Sequence, residues 1–151
     1  MDPGNVGSLL RTAAALGYHG AFLLEGCADP FSEKVLRAAQ GVPFFLPIVR
    51  TSAPRLAEAV HGWCSDAGVF SSGSQPPVVV ATQRDAPSLG TEAPRLASLP
   101  PSPRLVTLGS EGSGVSASLL DALSAAGASV VRLGIPHAPH APVESLNVAA
   151  T

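Results

Sequence analysis

A chain of 151 residues has the length of one ordinary domain, and folding at that size buries roughly two-thirds of the surface the unfolded chain exposes, so one compact core is expected. Hydrophobic residues make up 46% and charged residues 13%, which excludes a disordered polymer and fits elements buried on more than one side. The formal net charge of −2, with the single lysine Lys34 and eight arginines, excludes a general basic field, so any contact with nucleic acid is local or shared with a partner.

Cys27 and Cys64 stand alone, without a CxxC pair or a second metal-ligand cluster, and are read as core or near-core thiols. The longest apolar runs, such as Val78-Val79-Val80-Ala81, fall far short of the ~20 residues that cross a bilayer. Met1-Asp2-Pro3-Gly4 lacks the basic start and apolar stretch of a signal peptide. A soluble chain with no membrane partner is expected, its compartment being cytoplasmic or organellar.

Along the chain, Val6, Leu9, Leu10, Ala13, Ala14 and Leu16 recur at helical spacing, and Gly17 supplies a left-handed stop. Ala21-Phe22-Leu23-Leu24 reads as a short buried strand. A second helix starts near Ser32, whose hydroxyl is expected to cap it, and ends at Gly41. Phe44 to Val49 is expected to form a strand, with Pro47 better suited to a strand end than to its middle. Pro54 to Cys64 places Leu56, Ala59, Val60 and Trp63 on one helical face. Val78–Thr82, Arg104–Leu108 and Val130–Leu133 are apolar, β-branched candidates for strands buried on both faces, with a helix from about Ser116 to Ala126 between the last two. The stretch 83–103 is rich in Pro, Ser and Ala and reads as a loop. Strands alternating with helices predict an α/β fold, a mostly parallel sheet with helices on both faces.

Three segments carry residues suited to chemistry. Asp2-Pro3-Gly4-Asn5-Val6-Gly7 precedes the first helix, whose leading amides are read as free to hold an anion or polar ligand, and Arg11 is an always-charged fork suited to phosphate; a capped helix with one surface arginine explains the same residues. Leu108-Gly109-Ser110-Glu111-Gly112-Ser113-Gly114 follows a strand and opens a helix, at the sheet edge where ligands collect, although a purely structural turn has the same pattern. Its spacing matches neither GxGxxG nor GxxxxGK[ST]. From Ile135-Pro136 a proline-punctuated loop leads to Val143-Glu144-Ser145-Leu146-Asn147-Val148, whose polar groups can meet an adenine edge or simply cap a helix.

In this order the three segments resemble the signature of the SpoU/TrmH branch of the SPOUT RNA methyltransferases. The first is similar to motif 1 together with Arg11-Thr12, the second to motif 2, and the third to motif 3. Glu33-Lys34-Val35-Leu36-Arg37-Ala38-Ala39 and Leu46-Pro47-Ile48 resemble the segment between motifs 1 and 2. The resemblance implies one catalytic domain over residues 1–151 whose carboxyl-terminal part is threaded into a trefoil knot. It also implies a homodimer in which motif 1 completes the active region. The activity implied is transfer of a methyl group from S-adenosyl-L-methionine to a ribose 2′-hydroxyl of RNA, without a metal. Carried over position by position, the cofactor pocket would take in Leu108, Gly109, Ser110, Glu111, Gly112, Ile135, Pro136, Ser145 and Leu146. The catalytic surroundings would be Asn5, Arg11, Glu111, Ser145 and Asn147, and RNA would meet Arg11 and Arg37.

Members of this branch usually have a strand before motif 1, where here only Met1 precedes Asp2, and the final helix stops at Thr151. A chain lacking its first strand and the end of its last helix is therefore expected. The His137–Pro142 segment is longer than the usual motif-3 loop and lacks its glycine, which is expected to weaken cofactor binding; His137 and His140 are read as loop residues, because a metal site needs further ligands. Of the arginines Arg11, Arg37, Arg50 and Arg84, the last two read as scattered solvated charges. Glu25-Gly26-Cys27-Ala28-Asp29-Pro30-Phe31 resembles members acting on ribosomal RNA, so rRNA is favoured over tRNA. The alternative is a catalytically weak or inactive RNA-binding or dimerisation subunit with the same fold. A nucleotide-binding oxidoreductase is a third class, and its glycine fingerprint is missing.

Overall fold

A computed structural model describes residues 1–65, 77–82, 103–110 and 114–134. The chain divides into two compact units, one taking in Met1–Ala53 and the other beginning at Pro54.

In the first unit, helix α1 runs Pro3–Ala15. Asp2 sits before it in an extended conformation, and Pro3 fills the first helical position, where the lack of an N–H costs nothing. The helix stops as its sequence predicts: Gly17 takes φ +78°, its N–H donates to the Ala14 carbonyl, and the Tyr18 N–H reaches back to Ala13. That pair of bonds satisfies carbonyls that the helix end would otherwise leave open. Strand β1, Ala21–Leu24, then pairs in parallel with β2, Ile48–Thr51, Ala21 lying opposite Ile48 and Leu24 opposite Thr51.

Helix α2, Glu33–Ala39, joins the two strands and differs from expectation at its start. Ser32 occupies the cap position, but its hydroxyl donates to the Asp29 carbonyl at 2.8 Å and makes no cap bond. The helix ends in two left-handed residues, Gln40 and Gly41. The strand expected over Phe44–Val49 is corrected: Val42–Phe44 form a 3-10 turn, and the strand begins only at Ile48. Two prolines explain the shift. Pro43 lies inside the turn, and Pro47, lacking an N–H, enters the ladder only through its carbonyl, which accepts from the Ala21 N–H at 2.9 Å.

Val6 and Leu10 of α1, Leu23 of β1, Val35 of α2 and Leu46 form the core of this unit. Each such side chain contributes about 1.5–3 kcal/mol by leaving water. Gly7 sets how closely the helices meet, since a Cβ there would lie 2.6 Å from the Ala38 Cβ and 2.7 Å from the Val35 carbonyl oxygen. A larger residue would have to push α2 away.

The second unit opens with α3, Ala53–Ser65, which buries Leu56 and Val60 and half-buries Ala59 and Trp63. Its three strands are parallel: β3, Val78–Thr82, lies between β4, Arg104–Thr107, and β5, Ser129–Leu133. The sequence placed all three within a residue of their observed bounds. Helix α4, Ala117–Ala125, makes the crossover from β4 to β5, capped by the Ser116 hydroxyl, which accepts from the Leu119 N–H at 3.4 Å. It buries Leu119, Leu120 and Leu123. After α4, Gly127 adopts φ +97° against Cys64, whose thiol is pushed above its ordinary value of 9.0 by burial.

All but the last residue of the loop expected over 83–103, the helix expected from Val143, His137, His140, Arg84 and the threading of the carboxyl-terminal part lie outside the described residues.

Candidate active site

The geometry of the second unit follows from register. In β3, Ala81 stands opposite Thr107 of β4, and Thr82 stands opposite Leu133 of β5. All three strands therefore end at one level. Leu108-Gly109-Ser110 leaves the sheet on one side of Thr82 and Gly134 on the other, two strand spacings or about 10 Å apart. The carboxyl edge of a parallel sheet is where ligands are held in such folds. Parallel pairing thus brings motif 2 and the lead-in to motif 3 to the same edge. Thr82 ends the central strand at this edge.

Motif 2 closes on itself just beyond that edge. The Ser110 N–H donates to the Gly114 carbonyl at 3.2 Å, and the Gly114 N–H donates to the Ser110 carbonyl at 2.8 Å. This reciprocal pair joins Ser110 and Gly114 as an isolated antiparallel bridge. Gly114 takes φ +64°, in the left-handed region that favours glycine. Gly109 is required for another reason. A Cβ on it would lie 1.9 Å from the Gly114 carbonyl carbon and 2.3 Å from the Val115 nitrogen, so the returning backbone occupies the space of a side chain.

Immediately before this turn, the Thr107 Oγ1 is buried and has no hydrogen-bond partner among the described residues. Native structures pair the large majority of such groups with protein, ordered water or a bound molecule. A polar nucleoside fits these surroundings: a buried hydroxyl, a backbone turn without a side chain at Gly109, and a sheet edge.

In the first unit, Asn5 is buried at 8% exposure on α1, and Arg11 lies exposed on the same helix. The reading of the leading amides as free is corrected. The Asp2 Oδ1 accepts from the Gly4 N–H at 2.8 Å and from the Asn5 N–H at 3.3 Å, while the Val6 N–H donates to the Asp2 carbonyl. Pro3 has no N–H. The carboxylate thus takes the place an anion would fill, and repels one. The sequence signal for it was an aspartate directly before Pro3, a combination typical of a capped helix start. Arg37, on α2, donates from Nη2 to the Glu33 Oε1 one turn earlier, and both side chains are mostly exposed. Glu111, Gly112, Ile135, Pro136, Ser145, Leu146 and Asn147 lie outside the described residues.

The family model described as the SpoU rRNA methylase family matches residues 1–151. The chain is 38% identical over 149 residues to an uncharacterized tRNA/rRNA methyltransferase of Synechocystis, covering 98% of this chain and 45% of that one. It is 35% identical over 148 residues to RlmP of Bacillus subtilis, a 23S rRNA guanosine 2′-O-methyltransferase, covering 98% of this chain and 50% of the relative. Among solved structures, the SpoU methyltransferase AviRb of Streptomyces viridochromogenes in complex with AdoMet is similar with a TM-score of 0.71 at 29% identity, covering 99% of this chain and 49% of that one. The chain thus spans about half the length of the relatives it matches.

Proposed function

We propose, from the premise that this chain belongs to the SpoU rRNA methylase family, that residues 1–151 act as a catalytic domain transferring a methyl group from S-adenosylmethionine to a ribose 2′-hydroxyl of RNA, ribosomal RNA before transfer RNA. The observation that supports this most is the convergence of the motif-2 turn and the strand leading to motif 3 on one parallel-sheet edge, beside a buried unpaired hydroxyl. The names of relatives favour rRNA, RlmP being a 23S rRNA 2′-O-methyltransferase.

When bound, S-adenosylmethionine supplies an electrophilic methyl on a sulfonium that departs as a neutral thioether, so the reaction needs no metal. The cofactor-binding residues in this reading are Leu108, Gly109, Ser110, Glu111, Gly112, Ile135, Pro136, Ser145 and Leu146. Their task is orientation, because an aligned approach of oxygen to methyl removes much of the barrier that separate reactants face. The ribose hydroxyl loses its proton as its oxygen attacks. In this reading Arg11, alone or with an RNA phosphate, would help to remove or stabilise that proton. Asn5, Glu111, Ser145 and Asn147 complete the surroundings, with Arg37 an RNA contact. Two copies of the chain pair as a homodimer.

The test combines calorimetric titration of S-adenosylmethionine with transfer of labelled methyl to ribosomal and transfer RNA, followed by nucleotide mapping. Label in 2′-O-methylnucleotides of rRNA is expected. Cofactor binding without transfer would instead favour an RNA-binding or dimerisation subunit, and absence of both would overturn the reading. For Arg11→Ala, cofactor affinity is expected to stay unchanged while the transfer rate falls about 100-fold or more. An unchanged rate would remove Arg11 from the mechanism.

A further inference from the structure

Strand β4 alternates its side chains across the sheet, so Leu105 and Thr107 share one face, and Arg104 and Val106 the other. Parallel register puts Leu105 beside Val79, which is level with Val130, and Thr107 beside Ala81, which is level with Arg132. Val79 and Ala81 are fully buried, while Arg132 is exposed. The Thr107 hydroxyl therefore stands beside the buried Ala81, on the face that also carries Leu105 and Val79, with the exposed Arg132 one strand further on. Nothing in packing calls for it, since valine has the same branched shape, suits a strand equally well and leaves no polar atom unpaired.

A buried hydroxyl without a partner is a cost to the folded protein, and that cost is removed only when a polar group arrives. Three observations place the arriving group. The hydroxyl is at the carboxyl end of its strand, it lies two residues before the closed turn at Gly109, and it adjoins the end of the central strand. We infer that Thr107 is a cofactor-binding residue whose hydroxyl completes its hydrogen bonding with the nucleoside part of S-adenosylmethionine. This inference rests on the methyltransferase reading and extends it to a side chain outside the signature motifs.

A ligand role and a packing role separate in a paired measurement. Thr107→Val and Thr107→Ser are compared with the parent chain by thermal melting without ligand and by calorimetric titration with S-adenosylmethionine and S-adenosylhomocysteine. Removing an unpaired hydroxyl is expected to leave the ligand-free melting temperature of Thr107→Val equal to or above that of the parent. Its affinity for both nucleosides is expected to fall about tenfold, as for one lost hydrogen bond. Thr107→Ser, which keeps the hydroxyl and loses the methyl, is expected to melt lower yet bind within about threefold of the parent. Parent-like affinity in Thr107→Val overturns the inference and leaves the methyltransferase reading standing. Equal loss of affinity in both variants, in step with a lowered melting temperature, also overturns it, by assigning Thr107 to packing. If the parent chain binds neither nucleoside, the functional reading falls and the inference falls with it.

Discussion

Two glycine-bearing segments, the first turn of α1 and the residues leading into α4, solve the same problem in opposite ways. Before α1, a side chain satisfies the backbone: the Asp2 carboxylate takes the amides of Gly4 and Asn5, and Pro3 has none to offer. Before α4, backbone satisfies backbone through the reciprocal Ser110–Gly114 bonds, and the neighbouring Thr107 side chain is left unpaired. The first turn is complete without a ligand and presents negative charge. The second is joined from Ser110 to Gly114 by main chain alone and follows a hydroxyl that has no partner among the described residues. A motif rich in glycine therefore need not be a ligand cradle; what matters is whether its donors and acceptors are already used.

The contrast is sharpened most by Gly109→Ala. The added methyl meets returning backbone and cannot swing aside, so a loss on the order of 3 kcal/mol in urea unfolding is expected, along with loss of detectable S-adenosylmethionine binding by calorimetry. Parent-like stability would show that the turn opens easily. Asp2→Ala has a smaller expected effect. Loss of the cap costs about 1 kcal/mol in the same unfolding experiment, with cofactor affinity unchanged. A loss of affinity matching the loss of stability would break the contrast, because the first turn would then share the ligand's site. Glu33→Ala gives the baseline: removing an exposed ion pair with Arg37 is expected to change stability by less than about 0.5 kcal/mol.

Much of this was legible in the sequence, and the exceptions have identifiable causes. Val78–Thr82 was readable because a buried parallel strand appears as an unbroken apolar run, Ala21–Leu24 for the same apolar run although only Leu23 of it is buried, and Gly17 because few other residues take its backbone angles. The motifs are legible as a resemblance from the order of their residues alone. Phe44–Val49 misled because its aromatic and aliphatic residues suit a strand, whereas Pro43 and Pro47 bar most of it from the ladder. The use of the Asp2 carboxylate was open between two readings, because Asp2-Pro3-Gly4 suits a capped helix start as well as a binding loop. Neither the clash at Gly109 nor the orphaned Thr107 hydroxyl is encoded locally. Both depend on which atoms return from elsewhere in the chain.

The mutual Ser110–Gly114 bonds carry a consequence for how this turn tolerates change in length. They fix the separation of Ser110 and Gly114, which the sequence joins through three residues. Exchanging one of those residues for another keeps that number, whereas inserting or deleting one changes the length of chain that the two bonds must span. Sequence drift between positions 111 and 113 should therefore proceed by exchange of side chains at constant spacing.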